Sequence, residues 1–130
     1  MAKDIIEYDD RGNELYHKFC WNNQETWCEY DENNNLIYYK NSFGDEFWQE
    51  YDERNNRIYT KDSDGYESWR EYDENNREIH WKTSTGTEYW IRYNKSNERI
   101  IITEQEFKQI KRTKLYLNIK NSNRFEIMDI

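Results

Sequence analysis

One motif, repeated at a fixed interval, governs what this chain can fold into. Trp27-Cys28-Glu29-Tyr30-Asp31-Glu32 returns as Trp48-Gln49-Glu50-Tyr51-Asp52-Glu53, then as Trp69-Arg70-Glu71-Tyr72-Asp73-Glu74, then as Trp90-Ile91-Arg92-Tyr93-Asn94-Lys95, each 21 residues after the last. Seven residues behind each Tyr stands an aliphatic side chain: Ile37, Ile58, Ile79 and Ile100. Behind the first three, at fixed offsets, come Lys40, Lys61 and Lys82, then Gly44, Gly65 and Gly86. A fixed period of about 20–50 residues marks a repeat architecture.

Each copy reads as two strands. Glu46-Phe47-Trp48-Gln49-Glu50-Tyr51-Asp52 is rich in the aromatics that favour a pleated surface. The cluster Glu53-Arg54-Asn55-Asn56-Arg57 turns the chain, because Asn tolerates the left-handed backbone of tight hairpins. Ile58 to Asp62 is the return strand, and Asp64-Gly65 is a strong hairpin signal. Apolar residues do not recur at three and four, which excludes helix here. The fold expected is mainly β: an antiparallel meander of tandem two-stranded repeats in one twisted sheet, as a single domain over 1–130. Residues 7–102 form four to five hairpin repeats. The first copy, around Tyr8 to Asn13, is degenerate and one residue longer, which implies a bulge or a longer loop.

The odd period carries a constraint. Strand side chains alternate faces, and directly opposed residues share a face. If both loops of a copy were even, Trp48 and Trp69 would point to opposite faces. One loop must be odd, and the Asn cluster is the expected carrier, with a three- or five-residue loop and a bulge. The tryptophans then form a ladder along one face. Trp48 and Tyr51, three apart, face opposite ways, so both faces carry rings. Trp opposite Lys adds cation–π contacts of about 0.5–1 kcal/mol each at exposed sites.

Past Ile102 the pattern changes. Thr103 followed by Glu106 forms a capping box, and 104–112 reads as a short helix with acids first and bases last. Leu115, Leu117 and Ile119 alternate with other residues, Asn121-Ser122-Asn123 turns, and Phe125 and Ile127 alternate again. This predicts a final hairpin, so that 103–130 is a capping helix plus a C-terminal hairpin. Its last strand would offer a route to self-association.

The composition excludes several functions. The net charge is -8, against the basic surface that a nucleic-acid binder needs. No apolar run approaches the length that spans a bilayer, and the first residues lack a signal-peptide core, so a cytoplasmic protein is expected. Cys20 and Cys28 read as reduced thiols; a bridge requires that they lie on paired strands. With only His17 and His80 to complete a zinc set, the spacings fit no template, and neither a metal nor a cofactor is expected. Asp62-Ser63-Asp64-Gly65-Tyr66-Glu67 echoes a calcium loop but is too short for the full ligand set, and reads as a turn. The carboxylate pairs Glu29/Asp31, Glu50/Asp52 and Glu71/Asp73 recur once per copy, as scaffold positions do, whereas glycoside hydrolysis needs one special pair.

Tyr8-Asp9-Asp10-Arg11-Gly12-Asn13 and Tyr30-Asp31-Glu32-Asn33-Asn34-Asn35 resemble the tyrosine–aspartate repeats of the RHS and teneurin type. The resemblance covers about 7–102 and implies a continuous hairpin ribbon. In those families the ribbon spirals into a shell around a cargo; four or five copies cannot close one, and no catalytic residue comes with the likeness. MORN-type repeats are similar in length, but their glycine pattern is absent.

What remains is surface. The function expected is a non-enzymatic protein-binding inhibitor of a basic, nuclease-type effector, of the anti-CRISPR or toxin-immunity kind in a bacterium or phage. The residues expected to meet the partner are Glu29, Tyr30, Trp48, Glu50, Tyr51, Trp69, Glu71 and Tyr72, since Trp and Tyr dominate interface hot spots. The alternatives are a carbohydrate-binding module and a structural piece of a larger repeat surface protein.

Overall fold

The computed structural model describes residues 2–128, with side chains for all of these except 116 and 119–128. Ten strands form one open antiparallel sheet in sequence order. They are β1 (Ile5–Tyr8), β2 (Glu14–Lys18), β3 (Glu25–Tyr30), β4 (Leu36–Asn41), β5 (Glu46–Tyr51), β6 (Arg57–Asp62), β7 (Glu67–Tyr72), β8 (Glu78–Thr83), β9 (Glu88–Tyr93) and β10 (Arg99–Ile102). One helix follows, α1 (Glu104–Met128). The chain divides into two compact units, Met1–Glu88 and Tyr89–Ile130.

Nearly all the loops share one geometry. The first residue of the loop, such as Asp31, donates its N–H to the carbonyl of Asn35, four residues on, and accepts from the N–H of Asn34. Its side-chain oxygen takes the N–H groups of Asn33 and Asn35. The Asn35 backbone bond and its other bonds hold the Asp31 carboxyl below the ordinary carboxylate range, against the pull of burial. The fourth position has positive φ: Asn34, Asn55 and Asn76 on one side of the sheet, Gly44, Gly65 and Gly86 on the other. Only Gly, and next to it Asn, adopts that conformation cheaply. Asp62 plays the same part, accepting from Asp64 and Tyr66, so the calcium-like motif is a turn.

The Asn loop is odd as expected, but the Gly loop is odd as well, which corrects the expectation of one odd loop per copy. The Asn loop and the Gly loop each have three residues between their closing pair. The parity is restored by a bulge beside the Asn loop. Glu29 opposes Tyr38 while Tyr30 opposes Leu36, so Ile37 is skipped in the register. Ile58, Ile79 and Leu15 are skipped in the same way. The repeating aliphatic is thus the bulge residue of the first four copies, whereas Ile100 of the last pairs with Arg92 in an unbroken register. Two strands across from Tyr38 sits Lys61; the sequence equivalent, Tyr59, lies two residues along and so on the same face. The Trp ladder on one face follows. In the long first copy, Phe19 closes on Gln24 across a four-residue loop with Asn23 at positive φ.

The described part of the first unit has no fully buried hydrophobic side chain; its buried residues are Asn41, Gln49, Thr60, Ser68, Asp73 and Thr83. Four of them oppose one another across the strands, as Gln49, Thr60, Ser68 and Thr83. They are satisfied from within: the Thr60 and Ser68 hydroxyls are 2.6 Å apart, and Gln49 donates to the Leu36 carbonyl at 3.0 Å. The loops are stitched as well. Asn13, Asn35 and Asn56 each donate a side-chain amide to the Asn at positive φ in the next copy, at 2.8–2.9 Å.

In the second unit Ile91, Ile102 and Phe107 are buried. The capping box is present: Thr103 Oγ1 accepts the Glu106 N–H and donates to its carboxylate. The final hairpin is not formed. α1 runs on through 113–128, so the last strand expected to mediate self-association is helical. No Gly or Pro interrupts this stretch, so the helix propagates once capped.

Candidate functional site

The register arranges the Trp-bearing face into straight rows running across the strands. One row is Glu29, Tyr38, Trp48, Lys61, Glu67, one residue from each of β3 to β7. Before it runs Glu7, Tyr16, Trp27, Lys40, Glu46. After it come Glu50, Tyr59, Trp69 and Lys82. Each row is carboxylate, phenol, indole, ammonium, with a carboxylate again where the row is complete.

Within a row the rings meet edge-tilted. Tyr38 and Trp48 have centroids 5.6 Å apart, and Tyr59 and Trp69 5.7 Å, the offset arrangement that the ring quadrupoles favour. Each phenol donates to a carboxylate: Tyr16 to Glu25, Tyr38 to Glu46, and Tyr59 to Glu67, at 2.5–2.6 Å. These bonds, made to the neutral phenol, push all three hydroxyls up to about 12. The Lys61 ammonium lies 5.6 Å from the Trp48 ring centroid. In the fourth copy His80 takes the tyrosine place, its ring nitrogens 3.2 Å from Glu71 and 2.9 Å from Glu88.

Two open grooves lie side by side on this face. The first, of ≈940 Å³, has the Tyr38–Trp48 pair with Glu29 and Glu50 in its lining. The second, of ≈870 Å³, has Tyr59–Trp69 with Glu50 and Glu71. Glu50 belongs to both. Glu29 and Glu50 are exposed and engage in no hydrogen bond or ion pair with the described residues.

Five of the expected partner-binding residues therefore share one face: Glu29, Trp48, Glu50, Trp69 and Glu71. By alternation Tyr30, Tyr51 and Tyr72 belong to the other, although Tyr51 and Tyr72 border the grooves at the bulge end. Two of them hold the repeats together. Tyr30 donates to the Glu14 carbonyl and Tyr72 to the Arg57 carbonyl, each in the preceding copy. Tyr38 and Tyr59 form the groove walls and were not singled out from the sequence. Their signal was a tyrosine eight residues behind Tyr8, Tyr30 and Tyr51, with His80 in the same register behind Tyr72.

A separate polar cluster fixes β1. His17 bonds Asp4 through Nε2 at 2.9 Å and Glu14 through Nδ1 at 2.6 Å, and stacks on Phe19. The bond from Asp4 leads in holding the His17 imidazole above its ordinary value, against burial and with help from Glu14. The Cys20 N–H, then His17, draws Asp4 down to about 2. Cys20 and Cys28 are free thiols. Among the described residues no helix is long and apolar enough to cross a membrane.

No protein-family model matches the chain, and no curated protein matches it as a relative.

Proposed function

We propose that this chain is a non-enzymatic binding protein that inhibits a basic, nuclease-type effector in the cytoplasm of a bacterium or of a cell infected by a phage. The observation that carries the reading is the two exposed carboxylates of neighbouring rows, Glu29 and Glu50, unpartnered among the described residues and set among half-exposed indoles and phenols on one open face. Aromatic rings supply contact area at small conformational cost, and carboxylates beside them favour a basic partner. The net charge of -8 speeds encounter with such a partner and makes it dependent on salt. The resemblance of the unit to tyrosine–aspartate repeats supplies a scaffold and no chemistry of its own.

The test is affinity capture from the cells that carry the gene, at low and high salt, followed by a nuclease assay on the captured protein. Retention of a basic nuclease at low salt, and loss of its activity at one equivalent of this chain, is the expected result. Capture of no basic protein, or a captured nuclease that stays fully active, removes the reading. One observation favours carbohydrate binding instead: Trp27 and Trp69 lie on the same face and are 37% and 38% exposed. A glycan array decides between the two.

A further inference from the structure

We propose that the two grooves are consecutive sites for arginine side chains carried on one extended basic segment of the partner, with Glu50 as the carboxylate common to both. This rests on the reading above and assigns the surface and the spacing through which it would act.

Each groove combines the two features that hold a guanidinium. An aromatic pair offers a face on which the planar cation stacks, and a carboxylate on either side can take its N–H groups in pairs. Glu29 and Glu50 flank Tyr38–Trp48, and Glu50 and Glu71 flank Tyr59–Trp69. The chain already places its own nitrogen-bearing side chains against these rows. Lys61 sits over Trp48, and His80 lies between Glu71 and Glu88. Glu29 and Glu50 have no such companion.

The spacing follows from the register. Equivalent residues of successive copies are two strands apart and slipped by two residues along the strand. With strands about 4.8 Å apart and about 3.4 Å per residue, the grooves repeat about every 12 Å. An extended peptide covers about 13 Å in four residues, and residues four apart point to the same side. The matching ligand therefore carries arginines at i and i+4.

The experiment titrates the whole protein with Gly/Ser peptides that carry two arginines one, four or eight residues apart, following the indole N–H resonances. The i, i+4 peptide should bind at least about tenfold more tightly than either other spacing, shifting Trp48 and Trp69 together. Glu50→Gln should weaken it about tenfold, because one change empties a position in both grooves. Glu53→Gln removes the same charge from an exposed turn and should change binding less than about twofold. Equal losses in the two variants, or equal affinity at all spacings, would reduce the effect to net charge and overturn the site. A basic protein that is captured as well by Glu50→Gln as by the parent overturns the site and leaves the binding reading standing. Spacing-selective peptide binding with no basic protein captured from the cells does the reverse.

Discussion

At the scale of single residues, one side chain often does two things. Asp31 and its equivalents close a hairpin and carry charge. Tyr38 and Tyr59 pair with an indole and lock a glutamate. That second role has a pH signature. A phenol whose folded value is raised from 10.0 to about 12 contributes stability that is whole below pH 10 and disappears as pH climbs through 12. Replacing Tyr16, Tyr38 and Tyr59 together by Phe keeps the ring pairs and removes the bonds to glutamate. The parent should be more stable than this variant in urea at neutral pH, and the gap should close between pH 10 and 12. A gap that persists at pH 12 would mean that the hydroxyls matter for some other reason. The motif residues were legible in the sequence because they recur. The donation of Tyr30 and Tyr72 to backbone carbonyls was not, since a tyrosine that braces a neighbouring copy looks the same in sequence as one that waits for a partner.

At the scale of elements, the sequence showed that the parity problem had to be solved and pointed to the Asn-loop side, but not to the residue that solves it. Strand bounds and turns could be placed from Asn, Gly and the aromatic runs. The bulge could not, because Ile58 looks like any strand aliphatic until the pairing of Glu50 with Tyr59 and of Tyr51 with Arg57 leaves it over. Deleting Ile58 should therefore be far worse than shortening it. Ile58→Val should leave the circular-dichroism melt within a few degrees of the parent, as losing one methylene costs about 1 kcal/mol. The one-residue deletion should abolish the cooperative melt, since every later copy would present its Trp to the wrong face. A deletion variant that melts like the parent refutes the bulge as the register device. The C-terminal segment failed for a different reason: alternating Leu115, Leu117 and Ile119 suited a strand, while the capped and uninterrupted chain propagates helix. Phe107 anchors that helix, being 7% exposed. Phe107→Ala should cost about 3 kcal/mol or more and strip hydrogen-exchange protection from α1, leaving β3 to β6 protected. Equal loss of protection throughout would show that α1 is not a separate cooperative element.

At the scale of the whole molecule, the described first unit of the chain is held together without an ordinary apolar core. It buries threonine, serine and glutamine in one row and leaves its indoles half in water. Repeat arrays draw stability from the contact of each unit with the next, and the asparagine stitches and phenol–carboxylate bonds between copies are contacts of that kind here. A surface of this composition is free to serve as an instrument of contact, and the sequence indicated it through Trp, Glu and net charge. It could not indicate the rows, because they arise from register. The most direct measurement is oxidative footprinting of the chain with its captured basic partner bound. Trp48 and Trp69 should be protected together, while Phe47 and Trp81, on the other face, keep their reactivity. Protection of Phe47 and Trp81 with Trp48 and Trp69 still reactive would contradict the assignment of the binding face.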